Sequence, residues 1–159
     1  MELSSKIEKI YDWFSGFHSD PIAKALEVFS DPDTGEVVWT SQYGTLLLVT
    51  AVISLIVAFA FYIWPIDHPR FKSWWSWLIM LFVNSGLCLL AGWQIARIRM
   101  KLALDHEESW EWLNASSERS FDCFGMGLSN MMVGVLVFCL FSLVLTFFST
   151  NAKYSPFQK

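Results

Sequence analysis

The feature that most constrains this 159-residue chain is a run of 23 residues, 74–96, without a charged side chain. It reads WWSWLIMLFVNSGLCLLAGWQIA, and Arg97, Arg99 and Lys101 follow at once. A hydrocarbon core of about 30 Å needs about 20 predominantly apolar residues in helix. Trp74, Trp75 and Trp77 open the run and Trp93 nearly closes it, as aromatics and cations mark the two water boundaries of a span. The run predicts a membrane-spanning helix, and the rest of the chain must be arranged around it.

Two further blocks have the same character. Residues 44–64 are uncharged, with Tyr43 at one end and Tyr62 and Trp64 at the other, and Pro65 stops the helix. Residues 126–148 form the third block, followed by a short polar tail at 149–159. The chain is 54% hydrophobic and 17% aromatic, and these three blocks hold the excess over an ordinary globular domain. The expected fold class is therefore an all-α integral membrane protein. It has three transmembrane helices, an N-terminal amphipathic helical segment and a helical extramembrane loop between the second and third spans. The connection at 65–73 is too short to hold a domain, so the first two spans should form an antiparallel hairpin. Three crossings put the termini on opposite sides.

Residues 1–43 contain no apolar core of the kind a cleavable signal peptide needs, so the first span is expected to act as its own insertion signal. Within this segment, residues 5–17 place Ile7, Ile10, Tyr11, Phe14 and Phe17 at helical spacing, with Lys6, Glu8, Lys9 and Asp12 elsewhere. Asp20-Pro21 then starts a second short helix running to about Phe29, DPDTG at 31–35 makes a turn, and residues 36–40 suit a short extended piece. Two readings of the helices stay open: they rest flat on the membrane interface, or they dock on a partner subunit or on each other.

The loop at 97–125 is acidic and contains Trp110 and Trp112. Ile98 and Leu102 continue a helical pattern, so the second helix should outrun the bilayer. Asp105-His106-Glu107-Glu108 holds metal-ligand residue types, but consecutive helical residues point about 100° apart and the HExxH spacing is absent. A solvated acidic face is the expected reading. His68, between two prolines, reads as a solvated loop residue. Asn114-Ala115-Ser116 matches the glycosylation acceptor pattern, which matters only in a eukaryotic lumen. Cys88, Cys123 and Cys139 form no CxxC pair and are expected to be packing residues rather than a disulfide scaffold or zinc site.

Orientation is almost balanced. Grouping 1–43 with 97–125 gives that side seven of the 11 Lys and Arg residues and 14 of the 15 acids. The tight group Arg97, Arg99 and Lys101 favours a cytoplasmic N-terminus.

No Asp, Glu, Lys, Arg or His lies in any of the three spans, which disfavours a proton relay or coupled carrier built from this chain alone. The spans instead carry small and amide residues: Thr50 and Ser54 in the first, Asn84, Ser85, Cys88, Gly92 and Gln94 in the second, Asn130 and Gly134 in the third. Ser85, Cys88 and Gly92 share a helix face, as do Asn130 and Gly134. Small faces let helices approach closely in lipid, and amides bond between them. Depth along antiparallel spans pairs Gln94 with Asn130 and Ser54 with Asn84, as helix-packing contacts or as the lining of a pore.

These patterns lead to a non-catalytic subunit or scaffold of a larger membrane complex. The alternative is a homo-oligomeric channel lined by polar residues of the second span. An enzyme is not expected, because His18, His68 and His106 are scattered and no acid, base and nucleophile share one depth. No cofactor and no metal are expected. The expected partners are the lipid bilayer and other membrane subunits or copies of the chain, with Trp13, Phe14, Trp110 and Trp112 as candidate contacts, and not nucleic acid.

Overall fold

The computed structural model describes residues 2–17, 26, 28–30, 37–39, 41–63, 74–103 and 117–147. Three long helices dominate: α2 (Tyr43–Tyr62), α3 (Trp74–Ala103) and α4 (Ser117–Thr146). Each is long and apolar enough to cross a membrane, over Tyr43–Tyr62, Trp74–Met100 and Cys123–Thr146 respectively. α2 ends at Tyr62, three residues before Pro65, with the Ile63 N–H on the Phe59 carbonyl at 2.8 Å; a residue preceding proline is sterically pushed out of helical conformation. α3 and α4 extend past the uncharged blocks that marked them. Hydropathy detects only the stretch matched to a bilayer, whereas a helix continues through polar residues wherever its backbone bonds can be made.

α1 (Glu2–Asp12) is an amphipathic helix followed by a single 3-10 turn, Ser15–Phe17. Its inner face carries Tyr11, which is fully buried, with Ile7 and Phe14 packed beside it against α2 and α4. The helix therefore docks on its own bundle. Trp13 is 86% exposed on the other side.

Two strands, β1 (Val28–Ser30) and β2 (Val37–Trp39), pair antiparallel with Val28 opposite Trp39. The spans and α1 are helical as expected, and this hairpin is a local change. The extended piece is present, but Val28 and Phe29, assigned to the end of a helix, are its partner strand. β-branched and aromatic residues favour the pleated conformation once a neighbouring strand can take their backbone bonds. The turn at 31–35 and most of the expected helix from Pro21 lie outside the described residues. Leu26 is buried, and its carbonyl accepts the Gln42 N–H at 2.8 Å, tying this segment to the start of α2.

Two apolar clusters fill the bundle. One joins Tyr11, Leu26, Tyr43, Leu46, Ala96, Met100, Cys123 and Met126 at the end where α2 and α4 begin and α3 finishes. The other joins Val57, Phe61, Tyr62, Trp77 and Phe138 at the opposite end. The three long helices thus alternate in direction, and a polar layer lies between the clusters.

Candidate functional site

The polar layer is built on close approach between α3 and α4. A methyl group added at Gly134 would lie 2.6 Å from the Cys88 sulfur, one at Gly92 2.6 Å from the Asn130 Cβ, and one at Gly127 2.8 Å from the Leu89 carbonyl oxygen. Backbones this close leave no room for a longer side chain, and hydrogen bonds then cross between helices.

Asn130 is the junction. Its Oδ1 accepts from the Tyr11 hydroxyl at 2.9 Å and the Thr50 hydroxyl at 2.8 Å, and its Nδ2 donates to the Cys88 carbonyl at 2.7 Å. One amide joins α1, α2, α3 and α4. The Cys88 carbonyl fixes the amide's orientation, because a flipped amide would set two acceptors against each other. Thr50 also lies 2.8 Å from the Leu46 carbonyl, and its single proton serves one of the two acceptors at a time. Burial pushes the Tyr11 phenol above its usual titration range, so Tyr11 stays a neutral donor. Beside this junction the Ser129 hydroxyl donates to the Phe14 carbonyl at 3.1 Å, holding the end of α1 against α4.

A second node lies one turn further along α4. Asn84 donates from Nδ2 to the Gly134 carbonyl at 3.0 Å, and the Ser54 hydroxyl points to the same oxygen at 3.5 Å with the Cys88 sulfur 3.9 Å away. Asn84 is fully buried, and among the described residues its Oδ1 has no hydrogen-bond partner. Ser85 bonds its own helix, donating to the Leu81 carbonyl at 2.7 Å.

One expected pair is brought together and the other is not. Ser54 and Asn84 meet at the Gly134 carbonyl rather than on each other. Gln94 is exposed and does not bond Asn130 within the chain, because Asn130 turns toward Cys88, Thr50 and Tyr11 instead. The depth estimate placed Gln94 at the right level but left its rotation about α3 undetermined. Of the candidate contact residues, Trp13 is exposed, Phe14 is partly buried against the bundle, and Trp110 and Trp112 lie outside the described residues. The same holds for residues 105–108 and Asn114.

Three participants were missed. Tyr11 had a place on an amphipathic face but no polar role; a phenol within an otherwise aliphatic stripe is the signal. Gly127 sits seven residues before Gly134, two turns along the same face of α4. Ser129 precedes Asn130 with no pattern of its own. Chemically, the layer holds hydroxyls, amides and one thiol without an ionisable base beside them. Among the described residues no three His, Cys, Asp or Glu side chains gather closely enough to hold a metal ion. Comparison with family models, with curated proteins and with solved structures gives no match to this chain.

Proposed function

We propose that the chain is a small, non-catalytic subunit or scaffold of a larger membrane assembly. Its three apolar helices cross the bilayer as one bundle, and α1 docks at one membrane boundary. The observation that carries this reading is the direction of the polar side chains. Asn84, Ser85, Cys88 and Asn130, the groups that a lumen or reaction centre would need, are buried inside the single protomer. All four are engaged within it.

Apart from Gln94 near its end, what the second span leaves outside is apolar. Ile79, Phe82, Val83 and Leu90 of α3 are exposed around Gly86, where an added methyl group would meet nothing within 4 Å. An exposed glycine on such a face suits close approach by another transmembrane helix. A homo-oligomeric pore lined by Asn84 and Gln94 could take Gln94 from the outer face, but it would need the buried Asn84 to leave its protomer and face a shared lumen. The group Arg97, Arg99 and Lys101 supports placing the N-terminus in the cytoplasm.

Native mass spectrometry of the protein taken from its own membrane in nanodiscs tests the reading. Other polypeptides in fixed ratio are the expected result. The chain alone as a monomer overturns it, and a closed ring of this chain alone replaces it with the pore.

A further inference from the structure

An open groove of about 460 Å³ runs between α1, α2 and α4 on the outside of the bundle. Lys9 lines it on α1, Trp13 just after α1, Leu47 on α2, and Val133, Leu136 and Leu140 on α4. Among the described residues, Lys9 carries the only charge in that lining, and neither Glu8 nor Asp12 of α1 contributes to it. The groove begins beside the level where Tyr11 and Phe14 bind Asn130 and Ser129. From Val133 to Leu140 it follows α4 for about 10 Å of helix rise.

We propose that this groove holds one acyl chain of an anionic phospholipid from the surrounding bilayer, with the lipid phosphate against the Lys9 ammonium. The apolar walls match a hydrocarbon chain, and the single cation stands at the α1 end, at the depth of a headgroup if α1 lies at the membrane boundary. Trp13, with its indole largely outside, suits the same boundary. Zwitterionic phosphatidylcholine would gain the walls and bring the same phosphate, but its choline cation offsets the attraction to Lys9, so the net-anionic lipid is preferred. The inference rests on the reading of α2, α3 and α4 as membrane spans, and the two fail differently. A chain that stays monodisperse without detergent removes the spans, whereas lipid stoichiometry tests the groove.

The experiment is native mass spectrometry of delipidated protein titrated with phosphatidylglycerol or phosphatidylcholine of identical acyl chains. One phosphatidylglycerol should be retained with about fivefold preference, the effect of about one lysine at an anionic membrane surface. Lys9→Glu should abolish the preference, Lys9→Arg should keep it, and Leu136→Trp, which fills the groove, should release the lipid of either kind. Lys9 is exposed, so its variants test the charge without touching the packing. Equal retention of both lipids by wild type, or retention indifferent to Leu136→Trp, overturns the proposal. A second polypeptide or a second copy released by Leu136→Trp, with no lipid retained, assigns the groove to protein and overturns it as well.

Discussion

A primary amide offers two acceptor lone pairs and two N–H donors. Asn130 uses both lone pairs and one N–H on three different helices, whereas Asn84 uses one N–H and leaves its buried Oδ1 unpaired. The two side chains look alike in sequence, yet their removal should have unequal consequences. Asn130→Leu strands the Tyr11 hydroxyl and the Cys88 side of the junction, and an orphaned buried polar group costs about 1–3 kcal/mol. Asn84→Leu loses one interhelical bond, worth about 0.6 kcal/mol in lipid, and also removes an orphan. The shape change is the same at both positions, so the difference isolates hydrogen bonding. Asn130→Leu should be the more destabilising by about 2 kcal/mol, measured by reversible unfolding in mixed micelles. Equal losses would mean that size, not bonding, governs both positions.

Between elements, glycine decides how near two helices come. At Gly127 the obstacle to a methyl group is the Leu89 carbonyl, and at Gly134 it is the Cys88 side chain. Neither the Leu89 carbonyl nor the Cys88 Cβ, 2.8 Å from the added methyl group at Gly134, can turn aside as a rotamer can. Gly127→Ala and Gly134→Ala should therefore each force α3 and α4 apart at a cost of about 1–3 kcal/mol. Gly86 faces open space on the same helix as Cys88, so Gly86→Ala should leave monomer stability unchanged or slightly raised. Thermal denaturation of the three alanine variants in one detergent checks the order, and a Gly86 variant as unstable as Gly134→Ala would contradict it. α1 is joined to this contact by Tyr11 and the Phe14 carbonyl, which is why an amphipathic segment that could have rested on lipid is bound to protein instead.

Across the whole molecule, the cysteines report how the bundle is sealed. Cys88 and Cys123 are buried, Cys139 is half-buried, and none is in a disulfide. Cys88 belongs to the central polar layer and Cys123 to the cluster at the α1 end, so modification of either requires the helices to separate. A small maleimide should react with Cys139 first. Cys88 and Cys123 should be slower than in unfolded protein by about a hundredfold or more, corresponding to an opening free energy of about 3 kcal/mol. Peptide mapping over time measures the order; Cys88 modified as quickly as Cys139 would mean that the polar layer opens on its own.

The sequence by itself determined the three apolar helices, the hairpin of the first two, the amphipathic first helix and the set of small and amide residues from which the polar layer is drawn. Those properties are local: bilayer-length hydropathy, a proline stop and helical periodicity act within one segment. The tertiary structure decided which way each face turns. Gln94 and Asn130 lie at matching depth, but only the rotation of α3 about its axis, set by Gly92 and Cys88 fitting against α4, sends Gln94 outward and Asn130 to the centre. Likewise Val28 and Phe29 became strand because β2 was there to pair with them, a contact between segments that no helical periodicity contains. Tyr11 became a bonding residue because four helices converge on one amide, and such convergence exists only once the chain has folded.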